Sequence, residues 1–229
     1  MTITTTTLTK ASAVAAAAGG LLFIAVQVKH PSLDVAFTTT TEWKVRETMK
    51  VFFAALSLAG IAGMYLRQVK QIGVLGLFGY VLFSIGYLAM MGVEVVGAVV
   101  LPSIAHSSPG YVTDVLTVAT GGHPAGDVGL MQPLSAVMAV GFLGGGLLFG
   151  IALFRANILA RWAAALLAVA SVATAARAVV PQLNERLFAI PFGIALVGLG
   201  YSLWRDQRTP AARTVPSSVS SQLDPAGAR

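Results

Sequence analysis

Long apolar stretches, separated by short clusters of charged or helix-breaking residues, organise this chain. A membrane-spanning helix needs about 20 mostly apolar residues. Six stretches approach that length: Ala11–Val28, Val51–Leu66, Gly73–Leu101, Pro133–Phe154, Trp162–Val180 and Leu187–Trp204. The pattern predicts an all-α, polytopic transmembrane bundle over residues 1–204. Thr39-x-x-Glu42 fits a capping box, which predicts that the second helix starts near Thr40, well before its apolar part. No small-residue cleavage site follows the first stretch before Lys29-His30-Pro31, so it reads as a span and not as a signal peptide. Two segments are not spans. Residues 205–229 are rich in Ser, Pro, Ala and Arg and read as a disordered tail. Pro102–Gln132 is long for a loop, and long loops often act as lids. Its middle, Tyr111–Ala119, reads as a short interfacial helix.

Composition agrees with the pattern. Of the 229 residues 56% are hydrophobic and only 10% charged, against about 25% charged in soluble domains. Mean hydropathy is +0.79. The net charge of +6 lies in short loops and the tail. There it reads as a topology signal and a contact for anionic lipid, not as a nucleic-acid surface. The absence of cysteine excludes disulfides and thiolate chemistry.

Loop charges orient the bundle. Lys10, Arg67, Lys70, Arg155, Arg161, Arg205, Arg208, Arg213 and Arg229 fall on one side of a six-helix topology. Asp34, Glu42, Glu47, Asp114, Asp127 and Glu185 fall on the other, with fewer bases. The positive-inside rule makes the first side cytoplasmic and puts both termini there.

Glu94 is the most informative residue for chemistry. It lies in the third stretch, about seven residues or roughly 10 Å from its outer end. A carboxyl group at that depth must face the bundle interior or a wet cavity, either as a functional group or as a hydrogen-bonding partner of a neighbouring helix. At about 100° per residue, Tyr80, Phe83, Tyr87 and Glu94 share an arc of about 60°. The rings form either ordinary packing or the wall of a pocket able to stabilise a cation. In the second helix Trp43, Arg46, Glu47 and Lys50 share one side, as an interfacial anchor or as the rim of a site whose other wall carries Glu94. Arg177, near the outer end of the fifth stretch, either pairs with Glu94 or snorkels to the interface. The histidines, His30, His106 and His123, all lie in outer loops, which disfavours a haem between helices. No zinc-protease, P-loop or dinucleotide motif is present, nor an Asp-rich cluster for a magnesium diphosphate. The fourth stretch carries Gly141-x-x-x-Gly145 and Gly146-x-x-x-Gly150. These allow close helix packing within one bundle, with a homodimer face as the alternative.

The run His30-Pro31, Thr41-Glu42-Trp43, then Tyr65-Leu66-Arg67-Gln68-Val69-Lys70-Gln71-Ile72-Gly73-Val74-Leu75-Gly76, then Phe149-Gly150-Ile151-Ala152-Leu153-Phe154-Arg155-Ala156 resembles a family of small bacterial membrane proteins, over residues 11–204. Size, helix count and the intramembrane acid also resemble the membrane-bound terpene cyclases of bacterial meroterpenoid and drimentine-type pathways. That resemblance implies a prenylated, farnesyl-type substrate and cyclisation started by a proton, without metal or organic cofactor. It carries the acid to Glu94 first and Glu47 second, with Trp43, Arg46, Tyr80, Phe83, Tyr87 and Arg177 about the substrate. The class set against it is a small transporter or channel-like protein using a Glu94–Arg177 pair.

Overall fold

The structure, a computed structural model, describes residues 4–28, 33–173 and 186–207. Every regular element in them is helical: α1 (Thr5–Gln27), α2 (Val35–Thr38), α3 (Thr41–Arg67), α4 (Gly73–Val95), a π-helical turn (Val96–Val100), α5 (Leu101–Ile104), α6 (Pro109–Ala119), α7 (Met131–Ala156), α8 (Arg161–Ala173) and α9 (Arg186–Asp206). The chain is a helical bundle. Four helices, Thr5–Gln27, Thr41–Arg67, Gly73–Ile104 and Met131–Ala156, are long and apolar enough to cross a membrane. Helix α8 is apolar and is described over 13 residues. The expected remainder of that span, with Arg177, lies outside the described residues, as do His30 and residues 208–229 of the expected tail. Helix α9 runs two residues past the expected end of the bundle, to Asp206.

Neighbour contacts close the long helices into a ring in the order α1, α3, α4, α7, α8, α9 and back to α1. Small residues cut nearly every seam. Between α4 and α7, Gly86 faces Gly141 so closely that a Cβ on Gly86 would lie 2.6 Å from the Gly141 carbonyl carbon, while Gly145 faces the Phe83 backbone. Gly146 and Gly150 face Ser171, Ala164 and Ala168 of α8. Both glycine pairs of the fourth stretch thus make close contacts inside the bundle. Gly60 faces Ala16 between α3 and α1, and Gly20 faces Gly193 between α1 and α9. In a bilayer, where burying apolar area between helices gains little, such close approach supplies the dispersion contact that holds helices together.

Rings fill the centre. Phe53 of α3, Phe83 and Tyr87 of α4, Phe142 and Phe149 of α7 and Phe192 of α9 are all buried. They interlock with Phe23 at centroid distances from 4.3 to 6.4 Å. The outward faces carry Leu21, Phe52, Phe78, Leu88, Val140 and Val169, an exposed apolar surface suited to lipid.

At one end a second apolar layer covers the bundle. It joins Phe37 of α2 and Trp43 of α3 to Leu101, Val112, Val115, Leu116 and Met131. The long loop thus contributes the short helix that its middle predicted, α6, with its apolar face turned inward. Asp114 then ties down the following turn by accepting from the backbone N–H groups of Ala125 and Gly126 at 2.8 and 3.0 Å.

The glycine seams yield a direct test. Gly86→Val should lower thermal stability in detergent by about 1–3 kcal/mol or more, because the α4–α7 backbones cannot separate cheaply. Gly110→Ala, where an added Cβ meets no atom within 4 Å, should leave it unchanged. Equal melting of the two variants would remove the seam from the account.

Candidate functional site

The polar face of α3 and Glu94 meet beneath the covering layer. Lys50 Nζ donates to Glu47 Oε1 at 2.6 Å and lies 3.2 Å from Glu94 Oε2. The two carboxylates are themselves within hydrogen-bonding reach. Glu47 is buried, and the side chains of Lys50 and Glu94 are 21% and 14% exposed, so the cluster is closed on the Glu47 side and narrowly reachable on the other. Glu94 lies ten residues before the helix ends at Ile104, roughly 15 Å along the axis. Two acids and one base carry a formal charge of −1 when all are ionised, and zero with one proton on the acid pair.

Local sequence explains the geometry. Helix α3 starts at Thr41 as predicted, but its cap is Thr40, whose hydroxyl accepts from the Trp43 N–H at 3.1 Å. The expected Thr39–Glu42 box does not form, because Glu42 is engaged by Arg46 at 2.7 Å. Three residues separate Glu47 from Lys50, so both project from one face of α3.

On the other wall, Pro102 lacks the N–H that the carbonyl of Ala98 would use in an α-helix. The helix widens to a π-turn over Val96–Val100, and the Leu101 N–H goes to the Val96 carbonyl. In that register the Gly97 carbonyl would need a donor on Pro102. Trp43 supplies one instead: its Nε1–H donates to Gly97 O at 2.8 Å. A Cβ on Gly97 would lie 2.8 Å from Glu47 Oε2, so a larger residue there would displace the carboxylate. The π-turn therefore anchors Trp43 and makes the niche for Glu47 together. Lys50 Nζ also lies 5.9 Å from the Trp43 ring centroid.

The remaining candidates separate from this cluster. Arg46 turns the other way and closes the end of α1, donating to Val26 O at 2.6 Å and Val28 O at 3.1 Å. It neutralises the negative end of that helix. Tyr80, Phe83 and Tyr87 do line one face of α4, but against other rings. Tyr80 stacks on Tyr65 at 4.6 Å, and Phe83 and Tyr87 join the buried aromatic centre. The Tyr87 hydroxyl and Ser57 Oγ are neighbours there, yet neither completes a hydrogen bond of good geometry among the described residues. Glu94 takes Lys50 as its described partner, in the role expected of Arg177.

A cavity of about 550 Å³ lies between α4, the end of α6 with its loop, and α7, and the described residues that line it do not include Glu47, Lys50 or Glu94. Met90, one turn below Glu94, and Phe142 of the aromatic centre line it, with His123, Gln132 and Ser135 as its polar members. Volumes of this order accept a drug-sized molecule.

Gly97 and the π-turn are absent from the sequence reading, where Lys50 appears only on the polar rim of the second helix and not as the group that joins the two acids. The Glu47–Lys50 spacing and the Gly97–Pro102 pair were the signals for them. No protein-family model, curated protein or solved structure matches the chain.

Removing the cation isolates two carboxylates in a desolvated site. Lys50→Met should cost about 3–5 kcal/mol of stability. Adding Glu47→Gln and Glu94→Gln should recover most of it, as read by thermal unfolding in detergent. A Lys50→Met protein as stable as its parent would mean that the three groups do not depend on one another.

Proposed function

We propose that this chain is a membrane-embedded enzyme resembling the bacterial terpene cyclases, acting on a prenylated, farnesyl-type molecule in the plasma membrane, with both termini cytoplasmic. The observation that carries the proposal is the Glu47–Lys50–Glu94 cluster, a carboxylate pair held by one ammonium group, with Glu94 one helical turn above Met90 of a mostly apolar cavity that Phe142 of the aromatic centre also lines. An apolar chain enters from the bilayer, and the cavity holds it with Met90 and Phe142 against its alkene. The proton shared by the acids goes to the terminal alkene carbon. The alkene π-electrons form the new C–H bond and leave a carbocation, which ring closure consumes. Phe142, with Phe83 and Tyr87 packed edge-to-face against it, offers a ring face to the cation. Loss of a proton from the last cation to the carboxylate pair restores the enzyme and gives an isomer of the substrate. Lys50 faces the carboxylate that the departing proton leaves behind. Fixed charges in a water-poor site stabilise developing charge better than solvent does.

One observation favours a second reading, a small proton-coupled transporter. A lysine bridging two intramembrane carboxylates can exchange partners as one of them gains a proton.

Cells expressing the chain and fed a farnesylated indole or diketopiperazine should accumulate an isomer of equal mass. Glu94→Gln or Glu47→Gln should cut its formation by about 100-fold or more, with membrane insertion retained. Phe142→Leu should alter product ratios. No isomer from the parent protein, together with proton flux in proteoliposomes that Glu94→Gln abolishes, would replace the cyclase reading with the transporter.

A further inference from the structure

A second cavity lies far from this cluster, on the lipid-facing seam between α7 and α8. It measures about 580 Å³, and the described residues that line it are all apolar. Leu147, Gly150, Ile151 and Phe154 form one wall, spaced as a single face of α7. Ala165, Ala168, Val169 and Val172 form the other, with the same spacing on α8. Gly150 and Ala168 meet closely at its floor. Ile151, Val169 and Val172 stand exposed at its edge, so it opens sideways toward the bilayer.

Its length matches a bilayer dimension. From the end of α7 at Ala156 to Leu147 is roughly 13 Å of helix axis, close to half of the roughly 30 Å hydrocarbon core. The slot therefore runs through about one leaflet. Its mouth is basic. Arg155 and Arg161 are exposed there, and among the described residues neither has an ion-pair partner. Arg161 sits with its guanidinium carbon 4.2 Å from the Phe154 ring centroid, over the residue that ends the slot. That contact holds one cation at the headgroup end of an apolar channel. Trp162, exposed beside it, is the kind of ring that settles at the headgroup boundary.

We propose that this seam is a binding site for an anionic glycerophospholipid, one acyl chain in the slot and its phosphate between Arg155 and Arg161. Basic pockets between helices at the membrane face recognise lipid headgroups through charge, while apolar slots accept chains of either headgroup class. The two halves together select an anionic lipid.

The full chain, exchanged into detergent and titrated with phosphatidylglycerol or phosphatidylcholine of equal chain length, provides the test by native mass spectrometry. The parent protein should retain phosphatidylglycerol about ten-fold better or more. Arg155→Gln with Arg161→Gln should remove that preference, leaving weak binding of both lipids. Val169→Trp, at an exposed position on the slot, should reduce both. Inorganic phosphate should not compete, because it lacks the chain. Equal retention of the two lipids by the parent, insensitivity to Val169→Trp, full competition by phosphate, or a dimer that Val169→Trp dissociates would each overturn the proposal.

Discussion

Two carboxylates and one ammonium group lie together inside a bundle whose outer face is apolar, and none could remain there without the others. An isolated ion in hydrocarbon costs several kcal/mol even after relaxation. Mutual attraction offsets that only at contact distance. Lys50 meets the condition at 2.6 and 3.2 Å, which forces α3 and α4 to a fixed separation and rotation. Gly97 leaves room for the buried acid, since a Cβ there would lie 2.8 Å from Glu47 Oε2, and the π-turn around it follows from Pro102. Trp43 then satisfies the carbonyl that the turn and Pro102 leave without a backbone donor. A buried carbonyl without a donor would itself be costly in an apolar setting.

The rest of the bundle makes this cluster tolerable. Glycine seams bring the helices close enough for seven aromatic rings from five helices to fill the centre without help from solvent. The layer of α2, α5 and α6 residues around Trp43 closes the end above. Dispersion does most of the packing below the charges, and the charges set the register above it. The α7–α8 seam differs, since an apolar cavity of about 580 Å³ opens along it.

Much of the architecture was legible because its cause is local. Apolar length gave the helices, and period gave the shared face of Phe83, Tyr87 and Glu94. The depth of Glu94 marked it as a residue needing a partner, and the polar face of α3 carried the groups it meets. The partner's identity was less legible. Lys50 stood on the polar face of α3 in sequence, and only the rotation of α3 against α4 brings it to Glu94. Arg46 shares an angular sector with Lys50, yet the free carbonyls at the end of α1 draw it away. The cap moved by one residue, from Thr39 to Thr40, because Glu42 found a better ion-pair partner than a backbone N–H. The glycine pairs of α7 read as close helix contacts, and only the tertiary packing shows that α4 and α8 are the helices they meet.

The central claim is that Lys50 joins both carboxylates within the membrane. Solid-state NMR on the full chain in lipid bilayers can measure it, through dipolar coupling between the ¹⁵N-labelled Lys50 Nζ and the ¹³C-labelled carboxyl carbons. Glu47→Gln and Glu94→Gln samples assign each coupling to its acid. The account predicts strong coupling to both carboxyl groups, consistent with N–O distances of 2.6 and 3.2 Å. The Nζ should also be slow to exchange with bulk deuterium. A rapidly exchanging Lys50 that couples to neither carboxyl group would place its ammonium at the headgroups and leave the proposed site without its core.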